Sequence, residues 1–173
     1  IIEETPSCVA PSGLTVTNTT ASTATYSWTA DSTNTDYSYT TTDSTGATVA
    51  SASGTTTSGA VTVNVTGLSA NTTYTVTVTG ICGSDTSSSI QTSFTTPCAV
   101  ATTGFSQNFN GLTSMPSCWD VVNGGSTNTW LYSTSGHVYY EFNSSTHDDY
   151  LKSPVFTVSD GLYSNTGKVI FNV

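Results

Sequence analysis

The first half of the chain consists of short stretches in which apolar and hydroxyl-bearing residues alternate. Residues 24–28 place Ala, Tyr and Trp between Thr and Ser, and residues 61–65 place three valines around Thr62 and Asn64. Successive side chains of a strand point to opposite faces, so this alternation predicts strands with one buried and one wet face. β-Branched and aromatic residues suit such a surface. No stretch has the 3.6-residue period of an amphipathic helix.

Turn-forming Asn, Asp, Ser and Gly residues separate these stretches at regular intervals. Many short strands with regular turn signals are typical of a β-sandwich. We predict an all-β fold with seven strands in its first part, formed by Leu14 and Val16, residues 24–28, Tyr37 and Tyr39, and residues 47–52, 61–65, 74–78 and 90–94.

Residues 68–74 (Leu-Ser-Ala-Asn-Thr-Thr-Tyr) resemble the fibronectin type III pattern, in which a leucine precedes the tyrosine-corner tyrosine by six residues. Trp28 stands where that family has a core tryptophan in its second strand. The resemblance implies an Ig-like sandwich over residues 11–97, after an N-terminal linker at residues 1–10. It also implies that the Tyr74 hydroxyl bonds to upstream backbone while the ring fills the core. Such a family provides a scaffold rather than a chemistry.

The four cysteines have no CxxC spacing and almost no histidine accompanies them, which favours two disulfides over a zinc site. Disulfides indicate an oxidising, extracellular compartment. In the type III fold, the chain start and the end of the sixth strand lie at the same pole. The resemblance therefore implies a disulfide between Cys8 and Cys82.

Composition changes after residue 97, where large aromatic residues become more frequent. Residues 105–111 (Phe-Ser-Gln-Asn-Phe-Asn-Gly), 115–119 (Met-Pro-Ser-Cys-Trp) and 147–154 (His-Asp-Asp-Tyr-Leu-Lys-Ser-Pro) resemble the opening half of the MAM-like jelly rolls called cleaved-adhesin domains. The resemblance implies an incomplete jelly-roll β-sandwich over residues 98–173, with Cys98 and Cys118 paired around its first strand. Such jelly rolls need more residues, so we expect further strands from later in the chain or from a partner.

Charge excludes several classes of partner. The chain has two lysines, no arginine and 11 acidic residues, for a net charge of −9. Nucleic acids and anionic membrane surfaces both attract basic residues, so neither is an expected partner. No apolar run is long enough to span a membrane, so membrane insertion is not expected. Serine and threonine take the place of charge, with 27 Ser and 38 Thr among 173 residues.

The chain lacks the common signatures of catalysis: it has no Gly-x-Ser-x-Gly elbow, no His-Glu-x-x-His helix and no phosphate-binding glycine loop. We therefore expect no enzyme and no catalytic residues.

A structural calcium ion is the cofactor that the cleaved-adhesin resemblance implies for some members. Calcium takes six to eight oxygen ligands. Asp148 and Asp149 supply adjacent carboxylates, and Asp120, Glu141 and Asn143 are further oxygen donors. A solvated acidic turn explains the same residues equally well.

Tyr139 and Tyr140 are the candidate ligand-binding residues. Adjacent residues of a strand point to opposite faces, so one of the two is expected to face outward. Trp119 and Trp130 are better explained as core. Ser32 and Ser44 are candidate O-glycosylation sites, because Asp31-Ser32-Thr33 and Asp43-Ser44-Thr45 resemble the glycosylation triplet of bacteria that use type IX secretion. Asp85-Thr86-Ser87 departs from that triplet at its third position.

The two resemblances together are similar to adhesin regions of type IX-secreted bacterial surface proteins, including gingipain-type proteases. They imply a non-catalytic module pair at the bacterial cell surface, in which the type III domain is a spacer and the jelly roll binds a glycan, a host or matrix protein, or other modules of the same protein with calcium. Two alternatives stay open: an accessory region of a secreted protease or glycoside hydrolase, and a structural repeat of a surface filament.

Overall fold

The computed structural model of the chain describes residues 8–57, 60–100, 107–109, 114–122, 130–133, 137–140 and 150–154. It divides into two compact units, Ile1–Ala99 and Val100–Val173. In the described part, no helix is long and apolar enough to cross a membrane.

Two antiparallel sheets form the first unit. Their strands are β1 (Ser12–Thr17), β2 (Thr23–Thr29), β3 (Asp36–Asp43), β4 (Gly54–Thr55), β5 (Thr62–Thr66), β6 (Thr73–Cys82) and β7 (Asp85–Thr95). One sheet has the order β1-β2-β5 and the other the order β4-β3-β6-β7. This is the all-β sandwich that the alternating pattern predicts.

The core lies between the two sheets and is rich in aromatic rings. Trp28 and Tyr37 meet edge to face, with ring centroids 5.4 Å apart. The predicted core position of Trp28 is confirmed, since the residue is 5% exposed. Edge-to-face packing of this kind stabilises a core beyond its buried area. The buried apolar residues are Ala24, Tyr26, Trp28, Tyr37, Ala52, Val65, Leu68, Tyr74, Val76 and Val78.

A buried hydroxyl pair joins the two sheets through this core. The hydroxyl groups of Tyr26 in β2 and Thr41 in β3 are 2.9 Å apart, and the Thr41 hydroxyl donates to the Ala52 carbonyl at 2.6 Å. Burial raises the pKa of Tyr26 above its ordinary value. Both buried hydroxyls are thus satisfied within the core, as buried polar groups require.

The tyrosine corner is confirmed. The Ser69 backbone N–H donates to the Tyr74 hydroxyl at 2.8 Å, and Tyr74 is buried. Thr96 fixes the same corner: its hydroxyl accepts from the Thr72 N–H at 3.0 Å and donates to the Ser69 carbonyl at 2.6 Å. The start of β6 and the end of β7 are therefore tied to one turn.

The predicted strand at residues 47–52 is wrong. Thr48 makes an isolated bridge to Thr42, and Ala50–Ala52 forms a 3₁₀ turn before the two-residue β4. The Ser53 hydroxyl accepts from the Thr41 N–H and donates to the Val49 carbonyl, each at 2.9 Å. The Ser53 hydroxyl thus accepts from the Thr41 N–H, for which a longer strand would supply a backbone acceptor.

The predicted disulfide between Cys8 and Cys82 is present, with a Cα–Cα distance of 5.7 Å. Asn34 packs against it: Oδ1 lies 3.0 Å from Cys82 Sγ and 3.4 Å from Cys8 Sγ. The Asn34 amide also donates to the Val9 carbonyl at 2.9 Å. Cys98 and Cys118 are disulfide-bonded as well, so the chain has no free thiol.

The second unit contains two antiparallel strand pairs in its described residues. β8 (Asp120–Val122) pairs with β11 (Tyr150–Lys152), and β9 (Trp130–Ser133) pairs with β10 (His137–Tyr140). The rings of Phe109 and Trp119 meet edge to face at 5.1 Å. These pairs are β-structure, as predicted, and the jelly roll stays a prediction.

Candidate functional site

The carboxylate of Asp31 organises the loop between β2 and β3. Its Oδ1 accepts from the Thr33 N–H at 2.9 Å and from the Thr33 hydroxyl at 2.7 Å. The Asn34 N–H donates to the Asp31 carbonyl at 3.2 Å and closes the turn. Asp followed by a donor two residues later is the arrangement of an Asx turn. The loop is anchored to the core because the Asp31 N–H donates to the Tyr37 hydroxyl at 3.2 Å.

Asp43 repeats this geometry at the end of β3. Its Oδ1 accepts from the Thr45 N–H at 2.8 Å, from the Thr45 hydroxyl at 2.6 Å and from the Ala47 N–H at 3.0 Å. Gly46 supplies the left-handed residue of this turn, with a φ of 84°. The two Asp-Ser-Thr triplets therefore share one conformation as well as one sequence.

Hydrogen bonding keeps both carboxylates ionised. For Asp31, the Thr33 backbone bond and then the Thr33 hydroxyl bond lower the pKa below its usual value. For Asp43, the Thr45 hydroxyl bond and then the Thr45 backbone bond lower the pKa. A hydrogen bond donated to the charged form favours that form. Each carboxylate acts as the acceptor that shapes its own turn.

The central serine of each turn is exposed. The Ser32 and Ser44 hydroxyls make no hydrogen bond within the part of the chain that the structure describes, whereas the neighbouring Thr33 and Thr45 hydroxyls are both engaged. A substituent on either serine would displace no contact of this kind. We call these two segments, residues 31–33 and 43–45, the Asp-Ser-Thr turns.

The third triplet, Asp85-Thr86-Ser87, differs in structure as it does in sequence. It begins β7, and Asp85 lies opposite Cys82 in the β6–β7 ladder. The Ser87 hydroxyl donates to the Ser88 carbonyl at 2.7 Å and accepts from the Gly80 N–H at 2.8 Å. Its last residue is therefore held by strand backbone rather than by the aspartate.

The outer surface of β6 and β7 carries pairs of hydroxyl groups where many proteins carry charges. We call it the hydroxyl face. Its side chains bond across the two strands at 2.7–3.0 Å, and Gln91 lies opposite Thr77. Cross-strand hydroxyl pairs of this kind stabilise a sheet modestly. The bonded pairs are Thr73 with Thr95, Thr75 with Ser93, and Thr79 with Ser89.

For the predicted site residues of the second unit, the structure gives mainly their positions along the strands. Tyr139 and Tyr140 lie in β10, opposite Leu131 and Trp130 of β9. Asp120 is exposed at the start of β8, opposite Lys152. The other predicted calcium ligands, Asp148, Asp149 and Glu141, lie outside the described residues, as does Asn143.

Among the residues that the structure describes, no group of three or more His, Cys, Asp or Glu side chains is placed to hold a metal ion. Three of the four predicted ligands are not in that set, so calcium binding stays a prediction.

The two sheets, the tyrosine corner and the Cys8–Cys82 disulfide define an all-β sandwich module. The family model for the fibronectin type III domain matches residues 9–97. The chain belongs to the fibronectin type III family. A disulfide-bonded domain of this family indicates an extracellular protein.

Two solved structures are similar to the chain. The type III domain of the human collagen α-1(XX) chain, determined in solution, is 20% identical with a TM-score of 0.51, and the match covers 61% of this chain and all of that one. A crystal structure of a type III domain of human collagen XX is 22% identical over 52% of this chain and 93% of that one, with a TM-score of 0.47. No curated protein matches the chain.

Proposed function

We propose that the chain is a non-catalytic module pair of a secreted bacterial surface adhesin, in which the type III unit is a spacer. The family match over residues 9–97 carries this proposal, since such domains are typically extracellular adhesion or spacer modules. The side chains of the first unit support it. Its large aromatic residues fill the core, and the side chains of its hydroxyl face bond to one another.

The surface chemistry of the first unit suits a spacer that makes few contacts. Residues 1–99 contain no lysine, arginine or histidine. Such a surface offers nothing to anionic partners, because these are recognised by basic side chains. It also offers no cleavage site to proteases that cut after Lys or Arg. A spacer exposed outside the cell benefits from both properties.

The Asp-Ser-Thr turns support a second part of the proposal, that Ser32 and Ser44 carry O-glycans. Both serines are exposed and present their hydroxyls from the same turn conformation. An enzyme that recognises one turn would find the same backbone and carboxylate at the other. Peptide mass spectra of the protein from its native source test this, and unmodified peptides at both serines would refute it.

In this proposal the second unit binds a glycan or a host or matrix protein, with calcium as a structural ion. Tyr139 and Tyr140 are the ligand residues, and Asp120, Glu141, Asp148 and Asp149 are the calcium ligands. The support is the resemblance of residues 105–154 to cleaved-adhesin domains and the strand position of both tyrosines.

Binding of the full chain to glycan and matrix-protein arrays, with calcium and with a chelator, tests the assignment. Calcium-dependent binding that Tyr139→Ala or Tyr140→Ala abolishes, and that Tyr39→Phe in the first unit leaves intact, would support it. Absence of binding by folded protein in both conditions would leave the spacer role alone. Binding that survives both tyrosine variants would place the ligand elsewhere.

A further inference from the structure

β7 is an 11-residue strand at the end of the four-stranded sheet, paired on one side with β6. The Thr96 N–H donates to the Thr72 carbonyl at 3.0 Å, so alternation along the ladder turns the backbone of the even-numbered residues toward β6. The backbone of the odd-numbered residues then faces away from the sheet. In the described part of the chain these outward N–H and C=O groups have no partner, and they belong to Ser89, Gln91, Ser93 and Thr95.

Between Ser89 and Thr95 this edge lacks the charges and prolines by which sheet proteins prevent strand addition, and the β-bulge of the strand lies before this stretch, between Thr86 and Ser89. Natural edge strands carry lysine, proline or inward-pointing charges, or are very short. Residues 86–119 contain no charged residue, and β7 contains no proline. On the inner side of the edge, Ile90 and Phe94 are only partly buried although they pack on the core. The edge thus offers both backbone groups and apolar surface.

We propose that β7 pairs antiparallel with β7 of a second copy of this chain, about a two-fold axis through Thr92. In this register, Ser89 of one copy lies opposite Thr95 of the other, and Gln91 lies opposite Ser93. All four outward residues of each copy then exchange backbone hydrogen bonds. The two four-stranded sheets become one continuous sheet.

The side chains of β7 fit this register. On the inner face, Ile90 of one copy lies opposite Phe94 of the other, so two partly exposed apolar residues cover each other. On the outer face, Ser89 meets Thr95, which repeats the hydroxyl pairing already formed between β6 and β7. No charge opposes a like charge along the strand. The side chains of β7 are therefore complementary to those of β7 in a second copy of the chain.

The contact is small, and each copy carries a net charge of −9, so the dimer is expected to be weak and to tighten as salt screens the repulsion. Sedimentation equilibrium of the full chain at rising protein concentration tests this. We expect the average mass to move from the monomer toward the dimer, further at high salt than at low salt. Folded protein that stays monomeric at the highest concentrations and high salt overturns the proposal.

Ser93→Pro tests the edge itself. The Ser93 N–H points away from β6, so proline there removes an intermolecular donor and is tolerated at an edge. We expect at least a tenfold weaker association for Ser93→Pro and no change for Ser93→Ala, which keeps the N–H. Near-UV circular dichroism checks that both variants fold. Association that Ser93→Pro leaves unchanged overturns the assignment to β7.

Thr92→Cys tests the register. Across the two-fold axis Thr92 faces itself in a non-hydrogen-bonded pair, whose Cα spacing of about 4.5 Å is within the range for a disulfide. We expect Thr92→Cys to cross-link into a covalent dimer under mild oxidation. Thr77→Cys on β6, one strand in from the edge, is the matched control and is expected to stay monomeric. Equal cross-linking of the two variants would overturn the register.

Discussion

The Asn34 side chain lies against the disulfide of the first unit, with Oδ1 3.0 Å from Cys82 Sγ. The same residue faces Gly80, where an added Cβ would lie 2.5 Å from Asn34 Nδ2. Asn34 therefore fills the space between the disulfide, the chain start and β6. No local sequence signal marks it, because its partners are 26 and 48 residues away.

Asn34→Ala is expected to lower the free energy of unfolding by about 1–2 kcal/mol, because the amide that donates to the Val9 carbonyl is lost and a gap remains beside the disulfide. Urea denaturation measures this. Asn64→Ala is the matched control: Asn64 accepts from Thr25 on the exposed side of β5, and its removal should change stability by less than about 0.5 kcal/mol. Equal effects of the two substitutions would contradict the role of Asn34.

Gly80→Ala gives a second test of the same contact. The added Cβ meets the Asn34 amide. The substitution should therefore lower the free energy of unfolding more in the native chain than in the Asn34→Ala variant. Residues in contact show such coupling in a double-mutant cycle, typically 0.5–3 kcal/mol. Additive effects would mean that Gly80 is required for another reason.

Tyr74→Phe removes the hydroxyl that accepts from the Ser69 N–H but keeps the ring in the core. We expect a loss of about 1–1.5 kcal/mol in unfolding free energy, since a part-buried donor loses its partner. Tyr39→Phe is the control, because the Tyr39 hydroxyl makes no hydrogen bond among the described residues. A Tyr74→Phe protein as stable as the Tyr39→Phe protein would show that the corner bond contributes nothing.

Tyr26 predicts a loss of stability at alkaline pH. Burial raises the folded-state pKa of Tyr26 above its ordinary value of 10.0. The contribution of this group to stability is therefore fully present below pH 10. Above that pH the unfolded chain releases the proton first, and the contribution is lost as pH rises through the folded pKa. Urea unfolding from pH 8 to 11 should show this decline, and Tyr26→Phe should reduce it. An identical decline in the variant would assign it to other tyrosines.

Asp31 and Asp43 predict a loss of stability at acid pH. Their folded pKa values are lowered by the hydrogen bonds from Thr33 and Thr45, so their contribution is present above the unfolded pKa near 3.8 and is lost as pH falls through the folded values. Carboxyl-carbon NMR titration should give a pKa below the ordinary value for both side chains. Thr33→Val and Thr45→Val remove the hydroxyl bonds and keep the backbone bonds, so each pKa should return part of the way toward it, further for Asp43, whose largest cause is the hydroxyl bond. Unchanged values in those variants would refute the contribution of the hydroxyl bonds.

The first unit could be predicted from sequence where a short pattern has one structural meaning. Alternation identified the strands, and the resemblance of residues 68–74 to the type III pattern identified the corner, whose hydroxyl reaches backbone only five residues upstream. Residues 47–52 were misread because alternating small residues suit a strand, while Ser53 redirects the backbone. The unpaired edge of β7 depends on strand order, which no local pattern contains.

The same limit applies to the candidate sites. The Asp-Ser-Thr turns are local, so the sequence alone indicates them, and the structure adds that the two share a conformation. A calcium site needs ligands that lie far apart along the chain, as Asp120 and Asp148 do, and a sequence pattern does not fix the distances between them.

The disulfide at the chain start determines how the first unit responds to a pulling force. Tension that enters before Cys8 passes through the bridge to Cys82, and the 74-residue separation between them is taken out of the mechanical path. Beyond the bridge, about 15 residues remain before the end of the matched domain at residue 97. Fully extended, they yield roughly 50 Å, whereas the whole domain without the bridge would yield roughly 300 Å. The bridge therefore limits the extension of the unit under load to the release of its last strand, β7.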